Sequence, residues 1–392
     1  MVIKQNIEIM APVGDFESLH AAIKAGAGAV YFGIQGLNMR NLGARNFTVD
    51  DLKKIVKTCD ERNVKTYLTV NTVLYDRDME LMKKIVNTAK KEKITAIIAS
   101  DIAAIQYANS IGVEVHISTQ LSVSNLEAVK FYSKFADVIV LARELTLDQI
   151  KNICDEIKKQ DIRGPKGELV QIEIFVHGAL CVAISGKCYM SLAQYNRSAN
   201  RGECLQSCRR SYKVFDEETG NELKVENSYI MSPKDLCCIK FLDQIINAGI
   251  SVLKIEGRAR SSDYVYTVVK AYKEAVESIS EGTYTPERID GWVRDLETVF
   301  NRGFWHGGYY LGNKLGEWSG KPDSQATKVR TLMGTVENYY AKKKTAQLRL
   351  QNEALKVGDT IIITGPTTGL IQSEIKDIHV GGKSSESAKR GD

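Results

Sequence analysis

The sequence predicts an α/β protein: a (β/α)8 TIM-like barrel with a cysteine-rich insertion after its seventh strand, followed by a small C-terminal β-barrel. Three observations predict it. Short apolar runs alternate with helix-length amphipathic segments, eight of each, which is the count of a closed parallel barrel. No glycine-rich phosphate turn follows the first run, as an open doubly wound sheet would usually show. The rhythm breaks once, after the seventh run, and six of the eight cysteines lie in or beside that break.

In order, the strand-like runs are residues 7–11, 29–33, 65–71, 96–101, 114–119, 138–142, 171–177 and 252–256. Each is short, apolar and bounded by turn residues. The amphipathic segments are 16–25, 49–62, 78–92, 102–111, 125–135, 147–159, 234–248 and 263–281. Nearly sixty residues separate the seventh run from its helix, and in a barrel such a loop lies at the C-terminal face, where active sites are built.

The barrel is thus assigned to residues 1–282, with the insertion at 178–233. A connector follows at 283–325, holding Trp292, Trp305 and Trp318. Residues 326–392 read as short strands at 330–340, 345–351, 359–364 and 370–380, with Gly358-Asp359 and Gly365-Pro366 as turns. The sequence stops in Ser-Ala-Lys-Arg-Gly-Asp, a strand approach without its strand, so an incomplete last domain is expected.

At 392 residues, 43% hydrophobic and 26% charged, the composition is that of a soluble globular protein. The N-terminus lacks the apolar core of a signal peptide, and no run approaches the roughly 20 apolar residues of a membrane span. A cytoplasmic protein without a membrane role is expected. The net charge of +5 is too small to announce a nucleic-acid binder by itself. Oligomeric state is not legible.

Eight cysteines in this length are far too sparse for a disulfide scaffold, and a reducing cytosol keeps them as thiols or metal thiolates. Cys59 and Cys154 sit on helical patterns, whereas Cys181, Cys188, Cys204, Cys208, Cys237 and Cys238 crowd together with Lys187, Arg197, Arg201, Arg209 and Arg210. Clustered thiolates need a positive centre, which points to a metal site. Short CxxC pairs, the usual zinc frame, are absent, while a [4Fe-4S] cluster takes four thiolates from a scattered frame. Small core residues and surface thiols are the bland reading.

Other candidates follow from topology. His177 ends the seventh strand, where it could serve as acid, base or donor, or pack as a strand-end histidine. Glu256 and Arg258 end the eighth strand with Arg260 beyond, where barrels place phosphate or carboxylate binders. Asn71, Asp101, Thr119, Gln120 and Arg143 end strands three to six, and Arg40 and Arg45 flank a basic loop that could act as a lid. Arg197, Arg201, Arg209, Arg210 and Lys213 among Tyr189, Tyr195 and Tyr212 combine phosphate neutralisation with stacking surfaces for RNA, with Lys342–Lys344 in a turn of the last domain. Neither HExxH nor GxSxG occurs, which removes support from zinc-protease and serine-hydrolase chemistry. A Cys181–His177 dyad is the peptidase option.

The run at 173–191, Glu-Ile-Phe-Val-His-Gly-Ala-Leu-Cys-Val-Ala-Ile-Ser-Gly-Lys-Cys-Tyr-Met-Ser, resembles the signature of peptidase family U-32. Met-Ala-Pro-Val-Gly-Asp at 10–15, Asn-Arg-Gly-Glu-Cys-Leu-Gln-Ser-Cys-Arg at 200–209, Ser-Pro-Lys-Asp-Leu-Cys at 232–237 and Lys-Ile-Glu-Gly-Arg at 254–258 are similar to the same family. The resemblance implies a [4Fe-4S] cluster on Cys181, Cys188, Cys204 and Cys237, with Cys208 the rival for the third place and Cys238 for the fourth. It also implies kinship with the family's RNA-hydroxylation branch, in which prephenate serves as a dicarboxylate oxygen donor that bidentate arginines would suit. The expectation is prephenate-dependent 5-hydroxylation of the tRNA wobble uridine. Alternatives are hydroxylation of a 23S rRNA cytidine, a collagenase-like peptidase, as the family's older label has it, and a non-enzymatic RNA-binding module.

Overall fold

The computed structural model describes residues 7–184, 186–220, 222, 229–312 and 317–392. The N-terminal residues 1–6, Ser185 within the motif, part of the insertion and residues 313–316 of the connector lie outside the described residues.

All eight expected strands form. They are β1 (Glu8–Pro12), β2 (Ala29–Phe32), β3 (Lys65–Val70), β4 (Ala96–Ala99), β5 (Val115–Ile117), β6 (Val138–Val140), β7 (Gln171–Gly178) and, after an intervening short strand β8 (Asp235–Cys237), β9 (Val252–Ile255). Each pairs in parallel with its neighbour, and β9 closes the ring between β7 and β1, with Leu253 opposite both Ile174 and Ile9. Inward residues alternate along the strands, so Met10, Ala29, Tyr31, Tyr67, Ala96, Ile98, Val138 and Val252 fill the lumen.

Helices α1 (Phe16–Lys24), α2 (Leu52–Asp60), α3 (Met79–Lys91), α4 (Ile102–Ser110), α5 (Leu126–Tyr132) and α6 (Leu147–Lys159) cover the outside. Asp15, Asp101, Asn125 and Thr146 cap α1, α4, α5 and α6 by accepting first-turn amides. Each helix turns its apolar stripe inward: on α2 that stripe is Leu52, Ile55, Val56 and Cys59, all buried. Burial pushes the Cys59 and Cys154 thiols up to about 12, so both are packing groups.

The seventh unit departs from the expected helix at 234–248. The long strand β7 overruns the rim, and β8 pairs antiparallel to its end, Cys237 opposite His177. An exposed edge is thereby covered. After α7 (Met190–Tyr195) in the insertion, only α8 (Leu242–Asn247) remains of that helix. Then follow α9 (Ser262–Glu281), α10 (Pro286–Glu297) and β10 (Phe304–His306), which pairs in parallel with β8. Trp292 and Trp305 are buried there, so the connector is packed onto the barrel.

The C-terminal strands are present as four antiparallel pairs: β11 (Gly334–Tyr340) with β12 (Thr345–Leu350), β13 (Leu355–Lys356) with β18 (Ser387–Ala388), β14 (Thr360–Gly365) with β15 (Gly369–Glu374), and β16 (Ile378–Val380) with β17 (Lys383–Ser385). They surround Leu350, Leu355 and Ala388. Among the described residues no helix is long and apolar enough to cross a membrane.

Candidate active site at the barrel mouth

Glu256 follows β9 directly and is the acidic centre of the mouth. Its Oε1 accepts from Arg40 Nη2 at 3.2 Å, and Tyr31 Oη donates to its Oε2 at 3.3 Å and to the Ile255 carbonyl at 3.0 Å. Burial alone would raise this carboxyl, but the Arg40, Arg258 and Arg143 charges outweigh it and hold it at about 2. Glu256 is therefore a permanent anion and a poor general base.

Arg258 is buried, donating from Nη1 to Thr69 Oγ1 at 2.8 Å and to Asn38 Oδ1 at 3.2 Å. Burial pulls its guanidinium down to about 10, still charged at neutral pH. Arg143 stacks 3.9 Å over Phe175 and donates to the Ala179 carbonyl at 3.2 Å. The Nε atoms of Arg143 and Arg258 are buried without a hydrogen-bond partner. Three guanidiniums facing one carboxylate, with donors to spare, suit a small anionic ligand.

Asn71 is at the mouth as expected, its side chain accepting from the Met39 amide at 3.2 Å and donating to Gln120 Oε1 at 3.3 Å. Asp101 instead serves the backbone, accepting from Leu74 and Ala103 amides. Thr119 is buried in the turn beside Gln120. Sequence reading missed Tyr31 and a charged set in the lumen. There Lys254 Nζ meets Glu173 Oε1 at 2.6 Å, and His116 Nδ1 stands 3.9 Å from Glu173 Oε2. Two opposite charges inside otherwise apolar strands were the available signal.

His177 is elsewhere, which corrects its expected place at the mouth. A bulge between Phe175 and His177 reverses the alternation of β7. The ring packs outside the barrel against Tyr264, Tyr272 and Phe304, 3.4 Å from the Tyr272 hydroxyl. Burial, and then the His306 charge, push it down to about 3, so it stays neutral. Arg260 also leaves the mouth, stacking 3.4 Å over Phe300.

The cysteines divide into two groups. Cys208 is pushed up to about 11, first by burial and then, after relief from Arg209, by the charges of Cys181, Cys204 and Cys188. Cys208 thus stands within electrostatic reach of the other three thiols. The Met190 amide donates to Cys188 Sγ at 3.4 Å. Cys237, expected as the fourth ligand, is fully buried in β8, pushed up to about 12 by burial beside Tyr272; Cys238 is buried next to it. Among the described residues no three metal-ligating side chains converge as a single ion requires.

The loop after β2 docks on the insertion instead of standing free as a lid. The Leu42 amide donates to the Gly202 carbonyl, and Gly202, at φ +81°, lies so close to Asn38 that a Cβ would meet its carbonyl oxygen at 2.1 Å. Arg40 consequently feels both Glu256 and Cys204, tying the thiol loop to the mouth. Of the basic residues read as RNA contacts, Arg201 is spent on a bidentate pair with Asp78, and Arg209 on the Ser232 hydroxyl and the Pro233 and Leu180 carbonyls. Arg197 pairs with Glu203 at 3.2 Å, and Lys213 stands 3.9 Å from Glu222. Arg210 lies over Tyr195 at the exposed surface, and Tyr189 is 77% exposed.

A closed parallel barrel with a charged mouth under a cysteine-bearing loop has the build of a barrel enzyme. The sequence pattern of peptidase family U32 matches residues 14–320, and the chain belongs to that family. A protein of Porphyromonas gingivalis named collagenase is 55% identical over 386 residues, 98% of this chain and 93% of its own. A tRNA hydroxylation protein of Bacillus subtilis is 31% identical over 93% of this chain and 85% of its own. The 23S rRNA 5-hydroxycytidine synthase of Escherichia coli is 34% identical over 77% of this chain and 45% of its own. A solved U32 peptidase structure aligns at TM-score 0.42 and 11% identity over 64% of this chain and 94% of its own.

Proposed function

We propose that the chain is a cytoplasmic iron–sulfur enzyme that hydroxylates RNA, with tRNA uridine at the wobble position as target and a dicarboxylate of the prephenate type as oxygen donor. The observation that carries this reading is Arg40, which pairs with Glu256 in the mouth at 3.2 Å and sits on a loop whose Leu42 amide is bonded to Gly202 of the cysteine-bearing insertion.

Cys181, Cys188, Cys204 and Cys208 would hold the [4Fe-4S] cluster, Cys208 taking the place expected for Cys237. A [4Fe-4S] cluster takes four thiolates from a scattered frame, and these four come from one insertion. When bound it supplies electron transfer beside the mouth. The protein's own part is binding and orientation. Arg143 and Arg258 offer their unpaired Nε–H groups to the donor's carboxylates. Glu256 fixes Arg40 and, staying ionised, keeps a second anion from its own position. Outside, Tyr189 and the Arg210–Tyr195 pair offer base stacking and phosphate contact.

The second reading is a collagenase-like peptidase, favoured by the name of the relative at 55% identity. Against it, the described histidines show no hydrogen bond to a cysteine thiol, and His177 is buried on the far side of β7 from the mouth. Nucleoside mass spectrometry of RNA from a deletion strain tests the proposal. Loss of 5-hydroxyuridine-derived tRNA nucleosides is expected; loss of 5-hydroxycytidine from 23S rRNA moves the target to rRNA. Unchanged nucleosides in both RNAs overturn RNA hydroxylation.

A further inference from the structure

Beside the mouth, and separate from it, lies a cavity of about 280 Å³ between the insertion and the connector. Arg209, Arg260, Arg302 and Lys321 line it together with Gln206 and Ser232. Arg302 is buried, with Nη1 3.4 Å from Asp235 Oδ1. Arg260 and Arg302 stack on the same ring, 3.4 and 5.0 Å from the Phe300 centroid. Arg209 is clamped by the Ser232 hydroxyl at 3.1 Å and by the Pro233 carbonyl.

Four cations thus face two carboxylates, Asp235 and the rim residue Asp323, an excess of two positive charges. The side chains of Arg260 and Lys321 make no ion pair or hydrogen bond to a described residue. Burial, and then the Arg302 charge, lower the Arg260 guanidinium, while the Asp235 and Glu256 carboxylates act on it only through space. The Arg260 and Arg302 forks, held on the Phe300 ring, with the Arg209 charge beside them and an amide and a flexible ammonium at the rim, match a tetrahedral oxyanion with several acceptors. A phosphate monoester near −2 would cancel the excess, whereas an RNA backbone phosphodiester at −1 would cancel half of it.

We propose that this cavity is a phosphate seat, taking either a backbone phosphate of RNA or a free phosphate ester. The hydroxylase reading is not needed for it. Calorimetric titration of the full chain with inorganic phosphate tests it directly. The expected result is one site per chain, weakened about tenfold or more by Arg260→Gln. The exposed Lys321→Ala, which leaves the core untouched, should weaken it about threefold, and Lys53→Ala, on the exposed side of α2, should not change it. No phosphate binding by the folded protein, or unchanged affinity in both cavity variants, overturns the seat.

Competition then assigns the source. Displacement by a short oligoribonucleotide without terminal phosphates supports the seat as an RNA-backbone contact, and displacement by ribose 5-phosphate alone supports it as a site for a phosphomonoester. Displacement by neither overturns its role toward phosphate esters. A chain that binds phosphate yet leaves RNA unmodified keeps the seat and loses the hydroxylase.

Discussion

At Glu256, burial and three guanidiniums act in opposite directions, and the guanidiniums win. Its folded value of about 2 lies below the ordinary glutamate value of about 4.3. The stabilisation it brings is therefore complete above about pH 4.3 and is lost as pH falls toward 2. Glu256→Gln should cost about 3 kcal/mol at neutral pH, and the gap to the wild type should close over that acidic window in denaturant titrations. His177 behaves otherwise: its folded value of about 3 lies below the ordinary histidine value of about 6.5, so the unfolded chain takes up the proton first. The wild type should lose stability from this group as pH falls from about 6.5 toward 3. His177→Phe should lose less over that range and keep its activity; a large activity loss in a stably folded variant would restore the acid–base role. Among the thiols, Cys208→Ser should lower iron and sulfide per chain after anaerobic purification, whereas Cys237→Ser should leave both near the wild-type level. The opposite pattern would return the fourth place to Cys237.

At the scale of elements, the eight barrel strands were legible because each is a short apolar run whose helix carries a readable stripe. Strand β8 was not, since three residues, Asp235–Cys237, carry no period, and their pairing depends on β7 overrunning the rim. The bulge in β7 was equally hidden, and it alone moves His177 from the lumen side to the helix side. The proposed exchange of Cys237 for Cys208 turns on loop closure in space, which spacing along the chain does not record. Gly178 shows how tightly this corner is built: at φ +102°, a Cβ there would lie 2.4 Å from the Glu256 carbonyl oxygen. Gly178→Ala should destabilise by about 3 kcal/mol, read in denaturant titrations. A neutral effect would mean that β7 and the Glu256 turn are not in this contact.

For the whole molecule, membership of the U32 family and the barrel are shared by relatives named for collagen breakdown and for RNA hydroxylation. Fold alone does not choose between them. The proposed function rests on the site: the mouth gathers guanidiniums and one ionised carboxylate, and Cys208 feels the charges of Cys181, Cys204 and Cys188, with no histidine hydrogen-bonded to these thiols among the described residues. That arrangement is the ground on which the RNA-hydroxylase reading is proposed over peptide hydrolysis. The most direct test is reconstitution: the anaerobically purified, iron-loaded chain is mixed with tRNA from a deletion strain and a prephenate donor, and the nucleosides are analysed by mass spectrometry. The account predicts a uridine one oxygen heavier, formed only with donor present. Unaltered tRNA, together with cleavage of collagen peptides by the same preparation, would contradict it.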